Sequence, residues 1–391
     1  MSDAVVSFIL VSQLKDWCFN PHRAEGIKIG LGSPEITIGL RSLNPPGSGR
    51  EGFDNLECKS SCALPATREQ ADFVAGLAAG MYVVTPGAPV ALPVRVRGEE
   101  RIDATGKILV RMKIPFELYP TEVQALWRSA YATLKNAQDR FLRLLRWLQD
   151  VDSPHDFYSS RPSLYWRSGT AAAAGDDHLI AVAPEPERGT SGVEARGIHG
   201  IVWSDALGTS LRDLWEEGAI EPLAHELLRE ARLLAETGSL RSALLMAATA
   251  VETGVKEHVG RLRPDTRWIL QNLPSPPVHQ ILRNYVREMH DPSAFVTDWK
   301  ALDGLWKDCD KLAQARNATT HKGAPADADA VYRHIEVAAD VLYVLDALAG
   351  QEWARRRMSN KLRKALNWPG PTEHRIFGTW GSTRWEIDRN T

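Results

Sequence analysis

The chain has 391 residues, 43% of them apolar and 25% charged, which is enough for globular cores and long for one domain. A formal net charge of −2 excludes a global basic field, so any contact with nucleic acid has to come from a local patch. Four cysteines, Cys18, Cys58, Cys62 and Cys309, are too few for a disulfide framework in a chain this long.

No apolar run approaches the roughly 18 residues of a membrane span. The opening segment MSDAVVSFILVSQLKDW has no basic stretch ahead of its apolar run and no small-residue cleavage site behind it. The expectation is therefore a cytoplasmic protein with no membrane partner.

The first part of the chain reads as β-rich. Alternating or continuous β-branched segments fall at Val5–Val11, Ile27–Leu31, Ile36–Leu40, Met81–Val84 and Ile108–Ile114. Turn clusters at Asn44–Gly49 and Thr85–Pro89 separate them. A short helix is predicted over Thr67–Gly80, with Thr67 as N-cap and Gln70 closing a capping box. A longer one follows Pro120, with Thr121 as its cap and Val123, Leu126, Ala130, Leu134, Phe141, Leu144, Leu145 and Leu148 at helical period. Along it Arg140, Arg143 and Arg146 recur every third residue and are expected to face water. From Asp150 to Gly197 the pattern is poor, a long loop with one strand at His178–Ala183. A further strand is expected at Ile198–Trp203.

After Leu211 the pattern turns helical. Helices are predicted at Leu223–Glu236, ended by Gly238, and at Ser239–Arg261. Pro264, Pro274, Pro276 and Pro277 punctuate the next connection. Further helices are predicted at Val278–Met289, Val296–Arg316 and Asp329–Leu348. The fold class is thus α+β, a β-rich N-terminal domain followed by an all-α helical bundle domain. The expected parts are residues 1–205 as an α+β sensor or interaction domain, 218–350 as the bundle, and 351–391 as a tail. That tail starts basic and ends aromatic. Its basic stretch, Arg355–Lys364, is expected as a solvated helix end, and its tryptophans as a cover for a core.

Two cysteine spacings need weighing. Cys18-x3-His22 and Cys58-x3-Cys62 together have the residue types of a structural zinc set. Buried, incidental thiols are the preferred reading in a reduced protein, and neither a metal nor a cofactor is expected.

The helix predicted to end at Arg316 carries the most informative anomaly. Leu302, Leu305, Trp306, Cys309, Leu312 and Ala313 recur at spacings of three and four, so the stripe calls for an apolar residue at 316. A guanidinium there is costly unless it is paired or lines a cleft. His321 follows five residues later. On one continuous helix the two would point about 140° apart, so a bend or an unwound turn is expected between them. Asn317, Thr319, Thr320 and Gly323 suit that.

Arg316-Asn317-Ala318-Thr319-Thr320-His321 resembles the Arg-(x4–6)-His motif of the HEPN superfamily. Asn directly after Arg, with Gly soon after His, is similar to its Apea-like group. The stretches Glu230-Ala231-Arg232, Ala243-Leu244 and Ala250-Val251-Glu252 resemble the first two helices of that family. The resemblance covers residues 218–350. It implies a metal-independent endoribonuclease cleaving RNA as a homodimer through the HEPN helices, with the two motifs facing one another.

The chemistry fits the residue types. RNA carries its own nucleophile, the 2′-OH. An imidazole, ordinarily titrating near ~6.5, can take or deliver its proton, and an arginine fork can hold the phosphate as charge builds on its oxygens. Asn317 would orient the imidazole, bond the phosphate or merely cap the helix. Glu252 is a candidate third member that would hold Arg316 or His321, and the bland alternative is a structural Arg316–Glu252 pair. A role as a bacterial defence or toxin-like effector is implied, with a protein or phage-derived trigger acting at the N-terminal domain. The alternative is a non-catalytic dimer of the same kind that binds a nucleotide, RNA or a protein partner.

Overall fold

The computed structural model describes residues 4–14, 17–19, 27–32, 35–42, 56–78, 99–102, 108–111, 119–151, 157–158, 162–168, 179–182, 199–201, 203–272, 277–290 and 295–368. The chain divides into two compact units, Met1–Ile220 and Glu221–Thr391. The expected strand at Met81–Val84, the residue His22 and the far end of the aromatic tail lie outside the described residues.

The first unit is built on strands β1 (Ala4–Gln13), β2 (Trp17–Phe19), β3 (Ile27–Leu31), β4 (Ile36–Ser42), β5 (Leu56–Ala66), β6 (Glu99–Ile102), β7 (Ile108–Arg111), β8 (Ser163–Ser168), β9 (Leu179–Val182) and β10 (His199–Ile201). Helices α1 (Arg68–Ala78), α2 (Thr121–Gln149) and α3 (Asp205–Glu216) accompany them. Eight strands form one sheet in the order β3-β4-β5-β1-β8-β9-β7-β6, and β10 pairs with β2 apart from it. Within the large sheet β7 and β9 run parallel and the other neighbours antiparallel.

β1 is the spine. It pairs with β5 from Ala4↔Ala66 to Gln13↔Glu57 and with β8 from Val6↔Ser168. Residues 6 to 10 are all buried, as a central strand covered on both faces should be. One face sets Val6, Phe8, Leu10, Cys62, Leu164 and Trp166 against Ala71 and Val74 of α1 and Val123, Trp127, Ala130 and Leu134 of α2.

The α1 capping box forms as expected. The Gln70 N–H donates to Thr67 Oγ1 at 3.2 Å and the Thr67 N–H to Gln70 Oε1 at 2.8 Å. At α2 the cap differs from expectation. Pro120 takes the N-cap position without a side-chain bond, and Thr121 is the first helical residue. The Pro120 carbonyl accepts from the Val123 and Gln124 N–H groups, both at 2.9 Å, and the Gln124 side-chain amide donates to the Tyr119 carbonyl at 2.8 Å.

The second unit is helical: α4 (Leu223–Glu236), α5 (Leu240–Leu262), α6 (Arg267–Asn272), α7 (Val278–Gln280), α8 (Arg287–His290), α9 (Asp303–Lys322), α10 (Ala328–Leu348) and α11 (Asn360–Ala365). A π-helical stretch, Ile281–Val286, joins α7 to α8, and 3-10 turns cover Pro264–Thr266, Trp299–Leu302 and Glu352–Arg357. α10 packs on α4, α5 and α9 and is buried continuously from Ala338 to Ala347, the pattern of a helix surrounded by others.

Gly254 lets α5 approach closely. A Cβ there would lie 2.3 Å from Leu342 Cδ2 and 3.2 Å from Ala224 Cβ. Gly238, at φ 78°, ends α4 where a side chain would be strained.

The tail does not extend α10 as a solvated end. Gly350, at φ 92°, turns the chain. Ala354, Met358 and Leu362 then rejoin the helical core, and Trp368 packs on Phe295 with ring centroids 4.1 Å apart.

Candidate functional site

The apolar stripe of α9 is buried as the spacing predicts, with Leu302, Leu305, Trp306, Cys309 and Leu312 all in the helical core. Arg316 continues it and is half-buried, while Asn317, Thr320 and His321 are exposed. The expected bend between Arg316 and His321 is absent. α9 runs unbroken to Lys322, where Gly323 at φ 64° caps it and its N–H returns to the Ala318 carbonyl. Nothing in Asn-Ala-Thr-Thr removes a backbone donor, so the ladder continues, and the Thr320 hydroxyl bonds the Arg316 carbonyl at 2.9 Å without breaking it. The two Cα–Cβ directions therefore stay about 140° apart.

The unbroken helix makes a different pairing. Asn317 and His321 are four residues apart and share a face. Arg316 Nη1 donates to Asn317 Oδ1 at 3.1 Å, so the guanidinium leans from the stripe toward that exposed face. Glu252, on α5, pairs with Lys256 one turn on at 2.9 Å. Nearer its N-terminus the same face of α9 is braced by His279–Asp310 at 3.1 Å and Arg283–Asp303 at 3.3 Å.

The zinc set does not assemble as spaced. Cys58 and Cys62 sit four residues apart on the single strand β5, about 13 Å at 3.3 Å per residue, too far to ligate one ion. Both are buried. Burial pushes the Cys62 thiol up to about 11 and the Cys58 thiol higher still. Cys18 lies on β2, and His22 is outside the described residues. Among the described residues no group of three or more His, Cys, Asp or Glu could hold a metal.

Arg140 and Arg146 do not face water. Arg140 donates to the carbonyls of Ala219, Leu214 and Trp215 at 3.0, 3.3 and 2.8 Å and lies over the Trp215 ring. Arg146 is buried over Phe157. Only Arg143 of the three is exposed.

The second unit also holds buried polar groups that periodicity alone does not reveal. His225 Nε2 meets Asp346 Oδ2 at 2.8 Å, and Arg229 pairs with Glu221. His258 and His290 face each other, Nε2 to Nε2, at 2.8 Å. Burial, then His290 and Arg261, lower His258 to about 3.

Asp340 accepts from the Ser359 N–H at 2.7 Å and its hydroxyl at 2.6 Å, and burial raises it to about 6. It borders a cavity of about 370 Å³ together with Leu305, Asp308, Glu336, Lys361 and Leu362. Lys361 in that wall pairs with Asp308 at 3.1 Å, and Arg355 lies over both the Phe295 and Trp368 rings. Part of the basic tail is thus committed to internal contacts.

By architecture this is an α+β chain, a mixed sheet unit followed by a helical bundle. Comparison with protein-family models, with curated proteins and with solved structures found no match.

Proposed function

We propose that the helical unit is a metal-independent endoribonuclease of the kind its HEPN resemblance implies, with Arg316, Asn317 and His321 forming the reactive face. The observation that carries this reading is the Arg316–Asn317 hydrogen bond. It draws the guanidinium toward the exposed face that Asn317 shares with His321.

In the proposed reaction the RNA 2′-OH attacks the adjacent phosphorus. The P–O2′ bond forms, the P–O5′ bond breaks, and a 2′,3′-cyclic phosphate and a 5′-hydroxyl result. The imidazole takes the 2′-OH proton and, as imidazolium, gives it to the departing 5′-oxygen, while the arginine fork meets the equatorial phosphate oxygens. Because the two side chains leave one helix about 140° apart, the site is completed across a homodimer, Arg316 of one protomer facing His321 of its partner.

The purified protein should cut single-stranded RNA in EDTA and leave cyclic phosphate ends. Arg316→Ala and His321→Ala should each lower the rate by a hundredfold or more with helical content unchanged. A mixture of the two variants should regain part of the activity, since one of its two composite sites is intact. Cleavage that EDTA abolishes, or that survives both substitutions, ends the reading.

The straight run of α9 through the motif favours a second reading, a module that holds RNA without cutting it. Uncut RNA bound in a way that depends on Arg316 would select it. Within either reading, service as a cytoplasmic defence or toxin-like effector under a trigger sensed by the first unit is tested by growth arrest on expression, with and without residues 1–220.

A further inference from the structure

The corner where α5 ends presents a large aromatic side chain to solvent. Trp268 is 67% exposed and Leu262 41%, although a tryptophan is normally among the most buried residues by area. Around it Arg261, Arg263 and Arg267 are all exposed, as is Arg287 on α8. Pro264 opens a 3-10 turn between α5 and α6, and the Thr266 hydroxyl closes it on the Arg263 carbonyl at 2.7 Å. Asp265 holds the Arg263 fork through Nε at 3.3 Å and Nη2 at 3.2 Å. Tyr285 and Glu288 lie within electrostatic reach of that guanidinium.

Among the described residues the exposed acids of the corner are Asp265 and Glu288, set against four exposed arginines. Glu257, beside Arg261, is partly buried, and burial raises its carboxyl above the usual range. In a chain of net charge −2 this is a local positive surface around one open aromatic face.

We infer that this corner is a seat for single-stranded RNA, with a base stacked on Trp268 and the flanking phosphates on Arg263 and Arg267. A stacking platform edged by guanidinium groups is the chemistry that holds an unpaired strand without reading its sequence. Among the described residues the apolar field here is one tryptophan and one half-exposed leucine, each ringed by charge, narrower than a protein partner would need. The inference rests on the RNA reading of the same unit and adds a surface built from residues outside the Arg316 motif, giving the substrate class as unpaired RNA.

The test uses the full chain and a short 2′-O-methyl oligouridine, which lacks the nucleophilic hydroxyl and stays intact. Fluorescence anisotropy across a salt series gives Kd. Trp268→Ala should weaken binding about tenfold and Trp268→Tyr by much less, since a ring is kept. Arg263→Ala with Arg267→Ala should reduce the slope of log Kd against log salt by about 1.4, two phosphate contacts on a single strand. These side chains are exposed, so the thermal melt should not move.

Tight binding unchanged by Trp268→Ala overturns the seat and leaves the ribonuclease reading standing. Self-association that disappears in Trp268→Ala, with RNA binding intact, assigns the corner to a second copy and also overturns it. Absence of binding in the parent, with natural RNA left uncut, overturns the seat and the ribonuclease reading together.

Discussion

At the scale of single residues, arginine placement separates what a sequence can show from what it cannot. A repeat of three along a helix advances 300° per step, so Arg140, Arg143 and Arg146 fan over different faces. The pattern alone leaves open which face meets water. Arg140 meets the carboxyl end of α3, where the Leu214 and Trp215 carbonyls already accept from the Ala219 and Gly218 N–H groups and keep a second lone pair and partial negative charge for the guanidinium. It donates to three carbonyls and covers the Trp215 ring. Replacing it with alanine leaves those carbonyls to water and strips the ring, and should cost about 2 kcal/mol in urea unfolding of the first unit. Lysine should recover only a fraction, because a point charge cannot span three acceptors as a planar fork does.

At the scale of elements, legibility tracked side-chain type. The α1 capping box, the α4 stop at Gly238 and the buried stripe of α9 were readable because each depends on a local pattern. β5 was not. Its sequence, LECKSSCALPA, contains no valine, isoleucine or threonine, and it is a strand because β1 and β4 supply ladders on both sides. Tertiary pairing overrode propensity there. α3 was missed for a similar reason: its apolar positions Leu207, Leu211 and Leu214 are few, and the Ser204 cap sits on an unremarkable loop.

The candidate site was legible as residue types but not as geometry. A helix continues unless something breaks its ladder, and Asn-Ala-Thr-Thr does not.

The close crossing of α4, α5 and α10 gives an element-scale prediction. A Cβ at position 254 overlaps Leu342 and crowds Ala224. Gly254→Ala should therefore destabilise the bundle by about 1–3 kcal/mol despite its better helix propensity. Adding Leu342→Ala should make the pair less costly than the sum of the single changes, because the overlap is removed. Strict additivity in thermal melts would mean the helices are not in contact there.

At the scale of the whole molecule, each unit has a core of its own. The cluster under β1 draws only on the first unit, and the cluster around α10 only on the second. Two transitions are the expected consequence, and His258 supplies a label for the second. Its folded pKa, near 3, lies below the ordinary 6.5. Above 6.5 both folded and unfolded chains hold it neutral. As pH falls below 6.5 the unfolded chain takes a proton that the folded one refuses, so stability declines until about pH 3. Between pH 7 and 5 this loss amounts to about 2 kcal/mol at 1.36 kcal/mol per pKa unit.

Asp340 acts in the opposite sense. Raised to about 6, it is protonated in the folded chain before the unfolded one, and it offsets part of that loss on the way down. The readout is therefore a difference between proteins. His258→Leu should flatten the acid response of the second transition by about 2 kcal/mol relative to the parent over that interval, and leave the first transition where it was. A second transition that keeps the parent's slope would show that His258 is not the group responding, and two transitions that shift together would show that the units do not unfold separately.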